Sequence, residues 1–194
     1  MVNTGSWRVL LAAAGLAVVA VPAQAQNFSD AYNFIKAVKD RDGDKATELL
    51  NKPGTIVANT KEPGTGEAAL HILTRGRDMT WISFLLSKGA RPDIQNRQGN
   101  TPLMLAVQIG WLEGAEAFVE SGATVDLAND HGETPLIIAV QNRDVPMVRF
   151  LLAHGANPKH TDSVIGFSAV DYAKRDGRSP GILTMLQDAA TAAH

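Results

Sequence analysis

The chain has no cysteine, which excludes disulfides and thiolate metal sites. It has no excess of basic charge: 18 Lys and Arg stand against 20 Asp and Glu. Nucleic-acid binding needs a basic footprint, and none is offered here. Aromatic residues make up only 6% of the chain. After residue 25 no apolar run is long enough to cross a bilayer, which takes about 20 residues. Catalytic signatures are missing as well. There is no His-Glu-x-x-His helix, no Gly-x-Ser-x-Gly elbow and no Gly-rich phosphate loop. His154 and His160 flank a Gly-Ala-Asn-Pro turn rather than sharing a helical face, His131 falls in a turn and His194 ends the chain. Catalytic, cofactor and metal residues are therefore expected to be none, and the chain is expected not to be an enzyme.

Residues 1–25 have a different character. Arg8 is their one charged side chain, the stretch from Val9 to Val21 is apolar, and Ala23-Gln24-Ala25 has the small-x-small form of a cleavage site. This is the three-part layout of a secretory signal peptide. The apolar run is about 13 residues, short for a membrane span. Cleavage is expected near Ala25/Gln26. That gives a signal peptide over 1–25, a repeat domain over 26–194 and a periplasmic protein without membrane insertion after cleavage. An exported chain can dispense with disulfides, so the missing cysteines do not oppose export.

The mature region repeats itself every 33 residues. Gly99-Asn100-Thr101-Pro102-Leu103 recurs as Gly132-Glu133-Thr134-Pro135-Leu136, Ala106-Val107-Gln108 as Ala139-Val140-Gln141, and Ser121-Gly122-Ala123 as His154-Gly155-Ala156. A fixed period of this length indicates stacked supersecondary units rather than one globular core. In residues 97–129, Thr101 can cap a helix and Pro102 suits its first position. Leu103, Ala106 and Val107 share one face. Gly110 closes that helix, a second runs from about Trp111 to Glu120, and Gly122 ends it. Asn129-Asp130-His131-Gly132 is turn chemistry. Each unit thus reads as helix, tight turn, antiparallel helix and a β-turn loop.

Thr-Pro-Leu, Ala-Val, Leu-Leu and Gly-Ala at these offsets resemble the ankyrin repeat. The resemblance covers nearly the whole mature chain in about five units: 30–63, 64–96, 97–129, 130–162 and 163–194. It implies an all-α solenoid of helix-turn-helix repeats joined by β-turn loops. The outer units drift from the motif, as end caps must. Residues 163–190 fit after one extra residue. A surplus of three residues falls in Lys52–Gly66. The motif's His after Thr-Pro-Leu is present only as His71, with Met104 and Ile137 in its place elsewhere. Because such Thr and His side chains tie neighbouring loops together in the family, looser loops or an altered surface are expected.

The resemblance also implies a concave face made of β-turn tips and the exposed side of each first helix. Its candidate partner-binding residues are Glu67, Arg75, Arg97, Gln98, Asn100, Gln108, Ile109, Asp130, His131, Glu133, Gln141, Asn142 and Arg175, with Thr65, Phe167 and Asp176 nearby. Surface positions vary from copy to copy while inward ones repeat, so packing does not dictate the variable set. The function implied is an exported protein–protein interaction module, itself a monomer, that binds a partner protein of unknown identity in its concave groove. The alternatives are an inhibitor or immunity protein against an exported toxin or enzyme, a cell-envelope organiser, and a cryptic periplasmic enzyme. Trp81 and Trp111 are candidates either for interface anchors or for covers on the core edge, and Met147 aligns with Trp81 two units on as part of a conceivable outer apolar strip. Asp40-Arg41-Asp42-Gly43-Asp44 resembles a calcium loop in its alternating Asp, yet its Gly is misplaced and Asn51 stands at the twelfth position. In register it is the turn between two helices, with Asp42 as the cap.

Overall fold

The computed structural model describes residues 23–53 and 56–192. Apart from its last three residues, the expected signal peptide lies outside this range. Among the described residues ten α-helices follow in order. They are α1 (Ala23–Asp40), α2 (Gly43–Leu50), α3 (Ala69–Arg75), α4 (Met79–Ser87), α5 (Pro102–Gln108), α6 (Leu112–Glu120), α7 (Pro135–Gln141), α8 (Val145–Ala153), α9 (Ala169–Asp176) and α10 (Pro180–Ala192). A 3-10 turn at Val57–Asn59 lies in the longer connection. No β-strand occurs among the described residues, only two isolated antiparallel bridges, Lys61 with Ala68 and Thr161 with Ser168.

The odd-numbered helices form an inner row, α1 on α3, α3 on α5, α5 on α7 and α7 on α9. Each even-numbered helix packs on its own inner partner. Local chemistry sets the helix starts. Thr101 and Thr134 accept from the N–H groups of Met104 and Ile137, three residues on, and a proline follows each at the first helical position. Asp42, Asp78 and Asp144 cap α2, α4 and α8 in the same way. Asp42 is thus a helix cap in a hairpin turn.

The core runs the length of the stack. Leu70, Leu103, Leu136 and Ala169 are fully buried on the inner helices, and Ile82, Leu85, Phe118, Val148 and Leu151 on the outer ones. Neither Trp81 nor Trp111 is a free anchor. Trp111 is buried and its ring lies over Gly114, where an added Cβ would come within 2.1–2.5 Å of three ring atoms. Trp81 is half-buried, edge-on to Phe84 at 5.4 Å and against Gly43 of the preceding unit. Met147 is fully buried, so the outer apolar strip through Trp81 and Met147 does not exist: the third copy of that position is Gly114 under an indole, and the fourth faces the core.

Gly114→Ala checks this packing. Alanine normally favours a helix interior by about 0.5–1 kcal/mol over glycine. Here the new methyl meets a rigid ring, and overpacking costs about 1–3 kcal/mol. A net loss of about 1–2 kcal/mol is expected in urea melts, and it should vanish in a Trp111→Leu background. A stabilised Gly114→Ala would mean that the indole lies elsewhere.

Candidate functional site

Between successive units the chain forms a finger, a β-turn projecting beyond the inner helices. Asn96, Asn129 and Asp162 organise the fingers from one register position. Asn96 Oδ1 accepts from the N–H groups of Gln98 and Asn100 (2.9 and 3.0 Å). Asn129 Oδ1 accepts from His131 and Glu133 (2.9 and 3.0 Å), and Asp162 Oδ1 from Val164 and Ile165 (2.7 and 2.8 Å). These local side-chain turns fix the backbone that follows them.

Fingers are then joined to each other through their backbones. Arg97 N–H donates to Thr65 O (3.0 Å), Asp130 N–H to Gln98 O (3.1 Å) and Ser163 N–H to His131 O (2.8 Å). Glycines with φ of +69°, +75° and +74°, Gly66, Gly99 and Gly132, sit where the next finger passes closest. The expectation of looser loops is therefore corrected. Met104 and Ile137 forgo the loop-tying imidazole and are fully buried, while the backbone ladder and Gln95, whose Nε2 donates to Gly99 O and Ala128 O (2.8 and 3.0 Å), hold the fingers together.

His71 does tie its loop. Ala68 N–H donates to Nδ1 (3.1 Å) and Nε2 lies 2.9 Å from Asn100 O. With Nδ1 accepting, Nε2 must carry the proton and donate. The ring is fully buried, and burial pushes its pKa below the ordinary histidine value. A folded pKa below the unfolded one means that the unfolded chain takes up the proton first. Stability is then complete above the unfolded value of about 6.5 and falls as pH drops below it. At pH 5.5 the loss from this group is at most about 1.4 kcal/mol, the ceiling set by the unfolded pKa. Urea melts at pH 7.5 and 5.5 should show a difference that shrinks in His71→Met, and an equal acid sensitivity in both proteins would exclude His71 as its source.

The candidate residues divide into three groups. Arg97, Gln98, Asp130 and His131 are exposed at fingertips, and Gln108, Gln141, Asn142, Arg75 and Arg175 are exposed at the ends of inner helices, with Ile109 half-buried beside them. Some of these, with Glu67 and Glu133, are also engaged with their own fold. Glu67 holds Arg75 (2.5 and 3.2 Å), and Glu133 accepts from Asn129 Nδ2 (3.0 Å) and Gln141 Nε2 (3.4 Å). Arg97 reaches back to Pro63 O (2.8 Å), and Asn142 Nδ2 to Val107 O (3.4 Å). Asn100 is a correction. It is 7% exposed, and its Oδ1 accepts from Asn129 Nδ2 (3.0 Å) while its carbonyl receives His71. It stitches fingers together and offers no groove surface, because its side chain is drawn to Asn129 of the next finger.

Sequence reasoning read Asn129 as part of a turn but missed its counterparts Asn96 and Asp162, although all three carry the 33-residue period. It also missed three arginines, Arg41, Arg77 and Arg143, held at φ of +57°, +51° and +56° in the hairpin turns. Arg77 donates to Ile109 O (2.8 Å) in the next unit. Arg143 grips Asp176 through two hydrogen bonds (3.0 and 2.5 Å), and the guanidinium holds the Asp176 carboxyl below its usual range. Among the described residues no cluster of His, Asp or Glu is placed to hold a metal ion, and no helix is long and apolar enough to cross a membrane.

This architecture of paired helices and joined β-turn fingers defines an ankyrin-type solenoid. A family description, ankyrin repeats (3 copies), matches residues 34–129, 70–162 and 113–191, and the chain belongs to the ankyrin-repeat family. Its class is that of protein–protein interaction modules. One similar curated protein is a probable serine/threonine-protein kinase of Dictyostelium discoideum, 37% identical over 76 residues. The match covers 39% of this chain and 8% of that protein, so the chain spans less than a tenth of its length.

Proposed function

We propose that this chain is an exported interaction module that holds a partner protein on the face shared by its fingers and inner helices. The observation that carries this reading is the ladder from Thr65 through Arg97, Gln98, Asp130 and His131 to Ser163. It makes four fingers one rigid edge, so that exposed, copy-specific side chains are presented without an ordering cost at binding. Beside that edge Gln108, Gln141 and Asn142 stay exposed where the core could equally have been served by any polar residue. An open face with scattered polar tips suits recognition of another macromolecule better than chemistry, which needs convergent groups in a closed pocket.

Export rests on the layout of residues 1–25, with the mature chain starting at Gln26 in the periplasm. Mass spectrometry of fractionated cells should find that N-terminus in the periplasmic fraction, and an uncleaved chain in the cytoplasm would overturn export. The face is tested by capture from periplasmic extract, comparing the wild-type chain with one carrying Arg97, Gln108 and Gln141 changed to Ala. Lost recovery is expected. Unaltered recovery would place the interface on another surface.

A further inference from the structure

The last unit departs from the first, second and fourth at two positions on this face, while the third has neutral residues at both, Asn100 with Gln108 and Trp111. In α3 the groove-facing Arg75 is neutralised by the residue eight before it, Glu67 (2.5 Å). In α7 the same register pairs Gln141 with Glu133 (3.4 Å). In α9 it pairs Arg175 with Phe167, and the guanidinium lies 5.7 Å from the ring centroid. The aromatic face orients the arginine but leaves its charge uncompensated by any carboxylate. The second departure is Arg178. It occupies the register of Asp42, Asp78 and Asp144, each of which caps an outer helix. Its own guanidinium makes no hydrogen bond or ion pair among the described residues.

Both arginines line one open recess with Arg143, Asp176, Gln141 and Tyr172, of about 390 Å³, many times a water's share of about 30 Å³. Its single carboxylate, Asp176, is already taken by Arg143. Tyr172 is fixed in place by its hydroxyl, which donates to Asp162 Oδ2 (2.9 Å). Among the side chains that line the recess, three guanidiniums stand against one carboxylate, on a chain whose formal net charge is −2. Basic residues in the last turn of α9 are favoured by the helix dipole. That preference accounts for Arg175 being basic, yet not for Phe167 replacing a carboxylate or for Arg178 beyond the helix end.

We propose that this recess binds a carboxylate of an acidic segment in the partner protein, received by Arg175 and Arg178. Paired guanidiniums suit the planar, two-oxygen geometry of a carboxylate, and the recess is open at the end of the groove where an extended segment would leave it. The proposal rests on the groove reading and adds the partner's chemistry to it.

The test uses the full chain and fluorescein-labelled hexaglutamate, read by anisotropy at low salt, with hexaglutamine as the uncharged control. Hexaglutamate should bind and hexaglutamine should not. Arg175→Ala with Arg178→Ala should weaken binding by at least about tenfold, with folding checked by circular dichroism. Phe167→Glu should weaken it similarly, because it restores the internal pair that Glu67 makes with Arg75. Lys45→Ala, which removes an exposed cation of the first unit paired with Glu48, should leave binding unchanged. Hexaglutamate that fails to bind, or binds the Arg175/Arg178 variant or the Phe167→Glu variant as it binds wild type, overturns the proposal. Tighter binding of a hexapeptide carrying phosphoserine, by more than about tenfold, would make phosphate the ligand and overturn the carboxylate. A double variant, Arg97→Ala with Gln108→Ala, leaves Gln141 and the rest of the recess intact, so loss of partner capture in it together with an inactive recess would leave the groove reading standing alone.

Discussion

Gly99→Ala is expected to destabilise the protein by about 2–5 kcal/mol, the sum of two separable costs. The first is conformational. Gly99 has a φ of +75°, and an L side chain in the left-handed region costs about 1–2 kcal/mol. The second is steric. A Cβ there would fall 2.6 Å from both the backbone N and Oδ1 of Asp130 in the next finger. Backbone cannot swing aside as a flexible side-chain tip can, so the finger itself must move, at the overpacking cost of about 1–3 kcal/mol. That movement breaks the bond from Asp130 N–H to Gln98 O (3.1 Å). Gly132→Ala should behave alike, since its Cβ would meet Ser163 N at 2.5 Å. Gly122 separates the two costs. Its φ is +86° and nothing lies within 4 Å of its Cβ position, so Gly122→Ala should lose only about 1–2 kcal/mol. Equal losses for Gly99→Ala and Gly122→Ala in urea melts would mean that the fingers do not touch. The finger substitution should also lower partner capture beyond its effect on stability, because it displaces Asp130 and His131 relative to Gln98.

The same contrast shows what the sequence could disclose. Thr101-Pro102 and Thr134-Pro135 announce helix starts through local capping chemistry, and a period of 33 announces the stack, because repetition of inward residues is imposed by every junction alike. The second helix of the type unit begins one residue later than its apolar pattern indicated, since Trp111 serves as the residue before α6 rather than its first turn. The first helix is longer than any repeat pattern indicates, reaching from Ala23 to Asp40. Side-chain partnerships were not legible. Nothing local distinguishes Asn100, buried between fingers, from exposed Gln98 two residues earlier. Nor does local sequence show that Glu67 cancels Arg75 while Phe167 leaves Arg175 charged, because positions eight apart meet only once the finger folds back beside its helix. Candidate site residues chosen by register therefore mix presented side chains with ones that hold the fold.

Leu136→Ala is expected to cost about 2–5 kcal/mol, through lost burial and the cavity left behind. Leu136 is fully buried on α7, which packs on α5, α8 and α9. Those neighbours are themselves pinned. α7 is capped by Thr134, and its finger is tied on both sides by the backbone bonds of Asp130 and Ser163. Little collapse into the vacancy is therefore available, which places the cost toward the upper part of the range. Leu103→Ala, fully buried in the preceding unit, should fall in the same range. Position in the row matters as well. A stack is held by nearest-neighbour junctions, and a cavity in α7 weakens the junctions to α5 and α9 together, whereas Ile182→Ala in the terminal α10 touches the end of the row alone. With a urea slope of about 1–3 kcal/mol per molar, a loss near 3 kcal/mol lowers the midpoint by about 1 M or more. The slope should hold if the units still unfold together. A fall in slope with two separate transitions would show that the row has been cut at α7 into independently melting halves, and a loss below about 1 kcal/mol would show that Leu136 is not interior to the stack.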